Sequence, residues 1–176
     1  MPRWFPLLTL TILVTGCSTP IGVRRLDPRD AFPGSITGPL AGETAHSATT
    51  VILHRFNLTE KYRKDPTAAL RILHDTALKD RRRDILFALA ELSQIEAERL
   101  RRSGDAGERR RAPDCYLLAA VYAYHAILDT DLLPAPSLFD RRLQRAIDLY
   151  NFALWRGLAT GEKGTVEFRE GIRQLP

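Results

Sequence analysis

The sequence predicts an all-α protein, either an irregular helical bundle or a tetratricopeptide-like helical array, and three observations carry that expectation. Apolar residues recur at three- and four-residue intervals over several long segments, capping residues stand just ahead of those segments, and alanines cluster where helices would approach closely. The chain has 176 residues, 44% of them hydrophobic, which is enough for one compact domain.

The elements follow in order. From Thr19 to Gly42 the chain carries Pro20, Pro28, Pro33 and Pro39 interleaved with Gly22, Gly34, Gly38 and Gly42, a spacing that forbids a regular helix or a central strand and reads as an extended leader. A helix is expected over Glu43–Arg55, although Thr49, Thr50, Val51 and Ile52 are β-branched and lower its propensity. Asn57 with Glu60 resembles a capping box for a short turn through Tyr62. Asp65-Pro66 is a stronger start, with Ala69, Leu70, Leu73 and Ala77 forming one face behind it. The next helix, Arg83–Arg102, sets Ile85, Leu86, Leu89, Leu92 and Leu100 on a stripe, and Gly104 to Pro113 then reads as a charged loop. The segment Asp114–Leu128 is apolar nearly all round and is expected to be the central, most buried element. Ser137 with Asp140 opens a last helix whose stripe is Phe139, Leu143, Ile147, Tyr150, Leu154 and Leu158. Ala119, Ala120, Ala123 and Ala146 allow the close approach of a repeat array, yet no strict period exists.

Two helices carry apolar surface beyond what one core needs. Phe87 falls opposite Leu89, beside Glu91 and Glu98, while Leu149 and Phe152 fall away from the stripe around Ile147. Neighbouring helices in a stacked array, a protein partner or a missing catalytic domain would each cover them. After the helical domain at residues 43–160, residues 161–176 form a short tail or the start of a β-containing domain. Thr165 to Arg169 alternates like a strand and turns at Glu170-Gly171 into Ile172 to Leu175, a C-terminal β-hairpin that would need a packing partner.

The amino terminus is the most chemically specific stretch. Arg3, the apolar run Trp4 to Val14 and the small pair Thr15-Gly16 form a signal peptide over residues 1–16, too short for a bilayer span of about 20 apolar residues. Cys17 follows directly, and a thiol placed there after signal-peptide cleavage is the nucleophile for diacylglyceryl transfer. Cys17 is therefore the lipid-attachment residue, residues 17–42 are a lipidated tether, and membrane lipid is the expected partner. Ser18 after the cysteine favours the outer membrane of a bacterial envelope, facing the periplasm. Lipidation would leave Cys115 as the single free thiol, with no intramolecular disulfide.

Several segments together resemble a known group. Gly16-Cys17-Ser18-Thr19-Pro20-Ile21-Gly22-Val23, Leu26-Asp27-Pro28-Arg29, Asp65-Pro66 with Leu73-His74, Asp84 to Ser93, Tyr116 to Tyr124, and Phe139-Asp140 with Asp148 to Asn151 look like the N-terminal helical region of large bacterial lipoproteins. In those proteins such a region precedes an α/β-hydrolase domain. The resemblance implies either an accessory helical domain or a truncated N-terminal part of an esterase- or lipase-like lipoprotein. No Gly-x-Ser-x-Gly elbow is present, so no catalytic residue is assigned.

Other chemistry has thinner support. His46, His54, His74 and His125 never share helical ligand spacing, and there is no His-Glu-x-x-His or Cys-x-x-Cys run, so neither a metal nor a cofactor is expected. His74-Asp75 reads as helix-end surface and Cys115 as core packing, ten residues from His125 and out of its reach. Glu96 falls within the Leu89–Leu100 stripe and is expected to pair with an arginine or reach solvent. Arg81–Arg83, Arg101-Arg102 and Arg109–Arg111 sit at helix ends and in a loop, where they face solvent, and an exported chain argues against nucleic acid as their partner.

Overall fold

The computed structural model describes residues 44–137, 139–159, 166 and 174–176. The signal peptide, Cys17, the tether and nearly all of the 165–175 hairpin lie outside the described residues. Within them the secondary structure is all-α, in six helices: α1 (Ser47–Arg55), α2 (Thr59–Lys64), α3 (Pro66–Lys79), α4 (Arg83–Arg102), α5 (Ala106–Leu128) and α6 (Arg141–Leu158).

Helix α1 begins later than Glu43 because His46 caps it, its Nδ1 accepting the Ala48 N–H at 3.2 Å. Its other end corrects the capping box read at Asn57 and Glu60. The Leu58 N–H donates to the Leu53 carbonyl at 2.8 Å and the Asn57 N–H to the His54 carbonyl at 3.0 Å, the two bonds of a Schellman closure. Asn57 sits at φ 54, the left-handed position such a closure requires, so it ends α1 instead of starting α2. Leu53 and Leu58, the pair that this motif brings together, are both buried. Helix α3 starts as its sequence dictates, with the Asp65 carboxylate accepting the Ala68 N–H at 3.0 Å, and buries Ala69, Leu73 and Ala77.

Helix α4 has the predicted bounds and the unpredicted central place. Every residue from Ile85 to Gln94 is buried, as are Glu96, Ala97, Glu98 and Leu100, because α1, α3, α5 and α6 all pack on it. Helix α5, expected to be the most enclosed, instead leaves Val121, Tyr124 and Leu128 exposed at 42, 46 and 59%. Its buried positions are held by Ala112, Cys115, Tyr116, Ala119, Ala120, Ala123 and Ala126. Position among neighbours, and not the number of apolar side chains a helix carries, decides which one is enclosed.

Helix α5 also starts eight residues before Asp114, converting the expected charged loop into helix. The Asp105 carboxylate caps the start by accepting the Glu108 N–H at 2.7 Å, and Arg109 holds the turn before it by donating to the Ser103 and Gly104 carbonyls. Pro113 removes one amide donor, and the carbonyl it would have met belongs to the exposed Arg109, which water can serve.

Helix α6 is capped by Asp140 but turned relative to the predicted stripe. It buries Ala146, Leu149, Ala153 and Gly157, while Ile147, Tyr150, Leu154 and Leu158 are half-buried and Phe139 is 97% exposed. Small side chains face α5 because only they allow the two backbones to close up. A Cβ at Gly157 would lie 2.6 Å from Leu117 Cγ and Cδ2 and 3.1 Å from the Leu117 backbone nitrogen. The apolar faces that seemed to need an outside cover are covered within the chain. Phe87 packs in the main core with Ile52, Leu73, Ile85 and Leu89, Leu149 packs with Ala90, Ala119, Ala120, Ala123 and Ala153, and Phe152 stands edge-on to Tyr116 at 6.2 Å between centroids. Phe87 and Leu149 therefore have their cover from this chain's own helices.

The Gly157 contact makes a test. Alanine is the better helix former by about 1 kcal/mol, yet the added methyl has nowhere to go, and overpacking costs roughly 1–3 kcal/mol. Gly157→Ala is expected to lower the urea midpoint, and Leu117→Ala in the same chain to relieve the clash; equal or greater stability of the single variant would refute the close approach. At Asn57, glycine should be tolerated and valine should lower the midpoint.

Candidate functional site

An enclosed helix must satisfy whatever polar groups it carries, and α4 carries Glu91, Ser93, Gln94, Glu96 and Glu98, all buried. Glu96 meets its expected arginine, with Arg99 Nε and Nη2 donating to the two carboxylate oxygens at 2.8 and 2.7 Å. Glu98 accepts from Arg101 Nη2 at 2.8 Å and from the Tyr116 hydroxyl, with Arg102 Nε at 3.5 Å. Burial alone would raise the Glu98 pKa, but the bonds from Arg101 and Tyr116 and the charges of Arg101 and Arg102 together hold it below the ordinary value. Glu91 differs. It lies deepest and accepts the His46 N–H at 3.1 Å, while its Oε1 has no hydrogen-bond partner and the adjoining Thr49 hydroxyl stands outside bonding geometry. Burial raises the Glu91 pKa above its usual range, against weaker opposition from Thr49, the His46 amide and Arg145.

The arginine runs are only partly solvent-facing. Arg83 turns inward and donates to the carbonyls of Ala126, Ile127, Asp129 and Leu132, capping the C-terminal end of α5 from the first turn of α4. Arg81 pairs with Asp129 and Arg82 with Asp84. These interactions consume charges that the sequence presents as surface runs.

Between α3, α4 and α5 lies a cleft of about 300 Å³. Each helix contributes residues at helical spacing: Thr67, Leu70, Arg71 and His74 from α3, Ser93, Glu96 and Leu100 from α4, and Arg111, Cys115, Leu118 and Tyr122 from α5. Leu175 and Pro176 complete its wall. His74, read from sequence as helix-end surface, is half-buried here and its Nδ1 shares a hydrogen bond of 2.8 Å with the Tyr122 hydroxyl. Burial pushes the Tyr122 pKa up to about 12 and, with the Glu96 charge adding to it, the Cys115 pKa up to about 11. A thiol so raised is protonated at neutral pH, and the His74 imidazole is engaged by Tyr122, so the pair is arranged for packing and binding, not for thiolate attack. The Ser93 hydroxyl, in the cleft wall and 1% exposed, has no hydrogen-bond partner.

His46 caps α1, His54 is exposed on it, and His125 is near Asp129 with Nδ1 to Oδ2 at 3.8 Å. No three of the described His, Cys, Asp and Glu residues are grouped to hold a metal ion. None of the described helices is long and apolar enough to cross a membrane. Compared with protein-family models, curated proteins and solved structures, the chain matches none.

The two acids at the ends of the α4 polar row set opposite pH limbs. Glu91, with a raised folded pKa, binds its proton more readily in the folded state, so it reduces stability as pH rises above the ordinary 4.5 and through its folded value. Glu98, with a lowered folded pKa, contributes stability that is present above 4.5 and lost as pH falls through its folded value. Urea midpoints measured across pH should show the neutral-side decline reduced in Glu91→Gln and the acid-side decline reduced in Glu98→Gln; parallel curves for wild type and both variants would refute the assignment. Tyr116→Phe, which strips one bond from a buried carboxylate, should cost about 1–3 kcal/mol at neutral pH.

Proposed function

We propose that this chain is a bacterial lipoprotein, acylated at Cys17 and held at the envelope membrane, whose helical domain acts as an interaction or accessory module. The observation that carries the reading is the order Arg3, apolar run, Thr15-Gly16, Cys17, which matches a lipoprotein signal and its acylation point. Acyl chains contribute about 0.8 kcal/mol per buried methylene, so two or more would hold the domain firmly. The Pro- and Gly-rich stretch to Gly42 suits a tether, and the first described helix begins only at Ser47. The outer membrane, facing the periplasm, is the address that Ser18 favours. The succession of α3, α4, α5 and α6, each packed on the next in sequence, fits an irregular helical array of the tetratricopeptide kind.

A second reading, the leading region of an α/β-hydrolase lipoprotein, draws on the segment resemblance and on one structural observation. Val121, Tyr124, Leu128 and Trp155 leave apolar surface on α5 and α6 where a further domain would pack. A continuous or frameshifted reading frame beyond the Pro176 codon that encodes Gly-x-Ser-x-Gly would favour it; unrelated intergenic sequence would count against it.

The anchor is tested by metabolic labelling with a fatty-acid analogue. Wild type should be labelled and sediment with membranes, and Cys17→Ala should lose the label and become releasable without detergent. Labelling retained by the variant would refute the proposal.

A further inference from the structure

One residue fastens the first described helix twice. The His46 N–H donates to the Glu91 carboxylate at 3.1 Å, tying the entry of α1 to the most enclosed helix, and the His46 Nδ1 accepts the Ala48 N–H at 3.2 Å, capping α1. An amide can only donate, so the cap requires a ring nitrogen with a free lone pair, and protonation of the imidazole removes it. Serine, threonine or asparagine at such a position would keep its acceptor oxygen at every pH; a histidine does not. Burial, and then the charges of Arg145 and Arg142 on α6, lower the His46 pKa below the ordinary 6.5, so the ring is neutral and the cap is formed at neutral pH. From α4, Glu91 faces the His46 backbone, while Arg83 and Asp84 line a small cavity beside Ala48 together with Asp140 and Arg142 of α6, Asp84 being engaged by Arg55 and Arg82. With the folded pKa below the unfolded one, the stability the cap contributes is present above 6.5 and lost as pH falls through the folded value.

We propose that His46 is a protonation-controlled fastening of α1: neutral, it caps the helix and keeps it seated on α4; protonated, it frees the amino-terminal turn and lets α1 open ahead of the rest of the domain. The helix responds on its own because it has nine residues and buries only Thr49, Ile52 and Leu53. So short a helix depends on its cap and on those few packed side chains. Ile52 and Leu53 pack in the main core with Phe87 and Leu89, so opening α1 exposes apolar surface on α4. Glu91, whose folded pKa is raised, gains stability as it takes up its proton, so loosening of α1 in acid comes from the ring and not from this carboxylate. The inference stands on α1, α4 and α6 and is independent of acylation at Cys17.

Hydrogen exchange read by mass spectrometry on the full-length chain tests it. After correction for intrinsic rates, the amides of residues 50–55 should exchange about 2- to 30-fold faster at about pH 5 than at neutral pH, the range of one N-cap, while the amides of α5 keep their rates. His46→Asn, which retains a capping oxygen that does not titrate, should hold the α1 rates equal at both pH values, and His46→Ala should make them fast at both. Glu91→Gln keeps an acceptor for the His46 N–H and should leave the wild-type response in place. Absence of the acceleration in wild type overturns the proposal, as does a response that survives His46→Asn or disappears in Glu91→Gln, or an α1 that stays slow in His46→Ala. Equal acceleration of α5 marks general acid unfolding and overturns it too.

Discussion

The enclosure of α4 is the constraint on which the rest of this structure depends. A helix surrounded by α1, α3, α5 and α6 cannot send its polar side chains to water, so each polar residue on it needs a partner from a neighbouring element or from its own helix. Glu96 and Glu98 solve this with arginines three residues along the same helix, whose long stems reach back to solvent while the guanidinium pairs the acid. Tyr116 supplies the cross-helix bond that ties Glu98 to α5. Glu91 accepts the His46 N–H, which ties the entry of α1 to α4. The polar row thus links α1, α4 and α5 in one register, and burial of the apolar residues between them provides the driving force.

The other fixed relation is the close approach of α5 and α6. Ala119, Ala120, Ala123, Ala153 and Gly157 form a seam in which small side chains leave the backbones near each other, with Leu149 filling the space toward α4. Arg83 joins this pair to the start of α4 by capping four carbonyls at and beyond the end of α5. A guanidinium suits that task because its several donors lie in one plane and serve convergent acceptors at once. The seam and the Arg83 cap hold α4, α5 and α6 as one unit, and α3 closes over it to leave the cleft at the junction.

That cleft combines an apolar wall with a protonated thiol, a tyrosine held to a histidine and an unsatisfied hydroxyl. Nothing in this set is activated for covalent chemistry, since Cys115 and Tyr122 are both raised by burial. On the proposed reading, an anchor at Cys17 would confine the helical domain to a thin layer beside the membrane and raise its effective concentration toward any partner there.

By itself the sequence determined the helical class, the bounds of α4 and the cap at Asp65, because each rests on local pattern, periodicity or a capping oxygen; at α6 it opened the helix at Ser137, where the structure has Asp140 as the cap. It left Glu96 to an arginine or to solvent, and the structure has the arginine, Arg99, one turn away. It misjudged Asn57, whose left-handed closure depends on what α2 must do next, and the start of α5, where a proline marks a loop by local pattern but a well-capped helix runs through it. Which helix lies at the centre, which face of α6 turns inward, and the meeting of His74, Ser93, Cys115 and Tyr122 in one cleft were decided only by tertiary structure. These are properties of neighbours: an apolar face gains from burial wherever it lies, and packing among several such faces, with backbone approach limited by Gly157 and the alanines, decides which one obtains it.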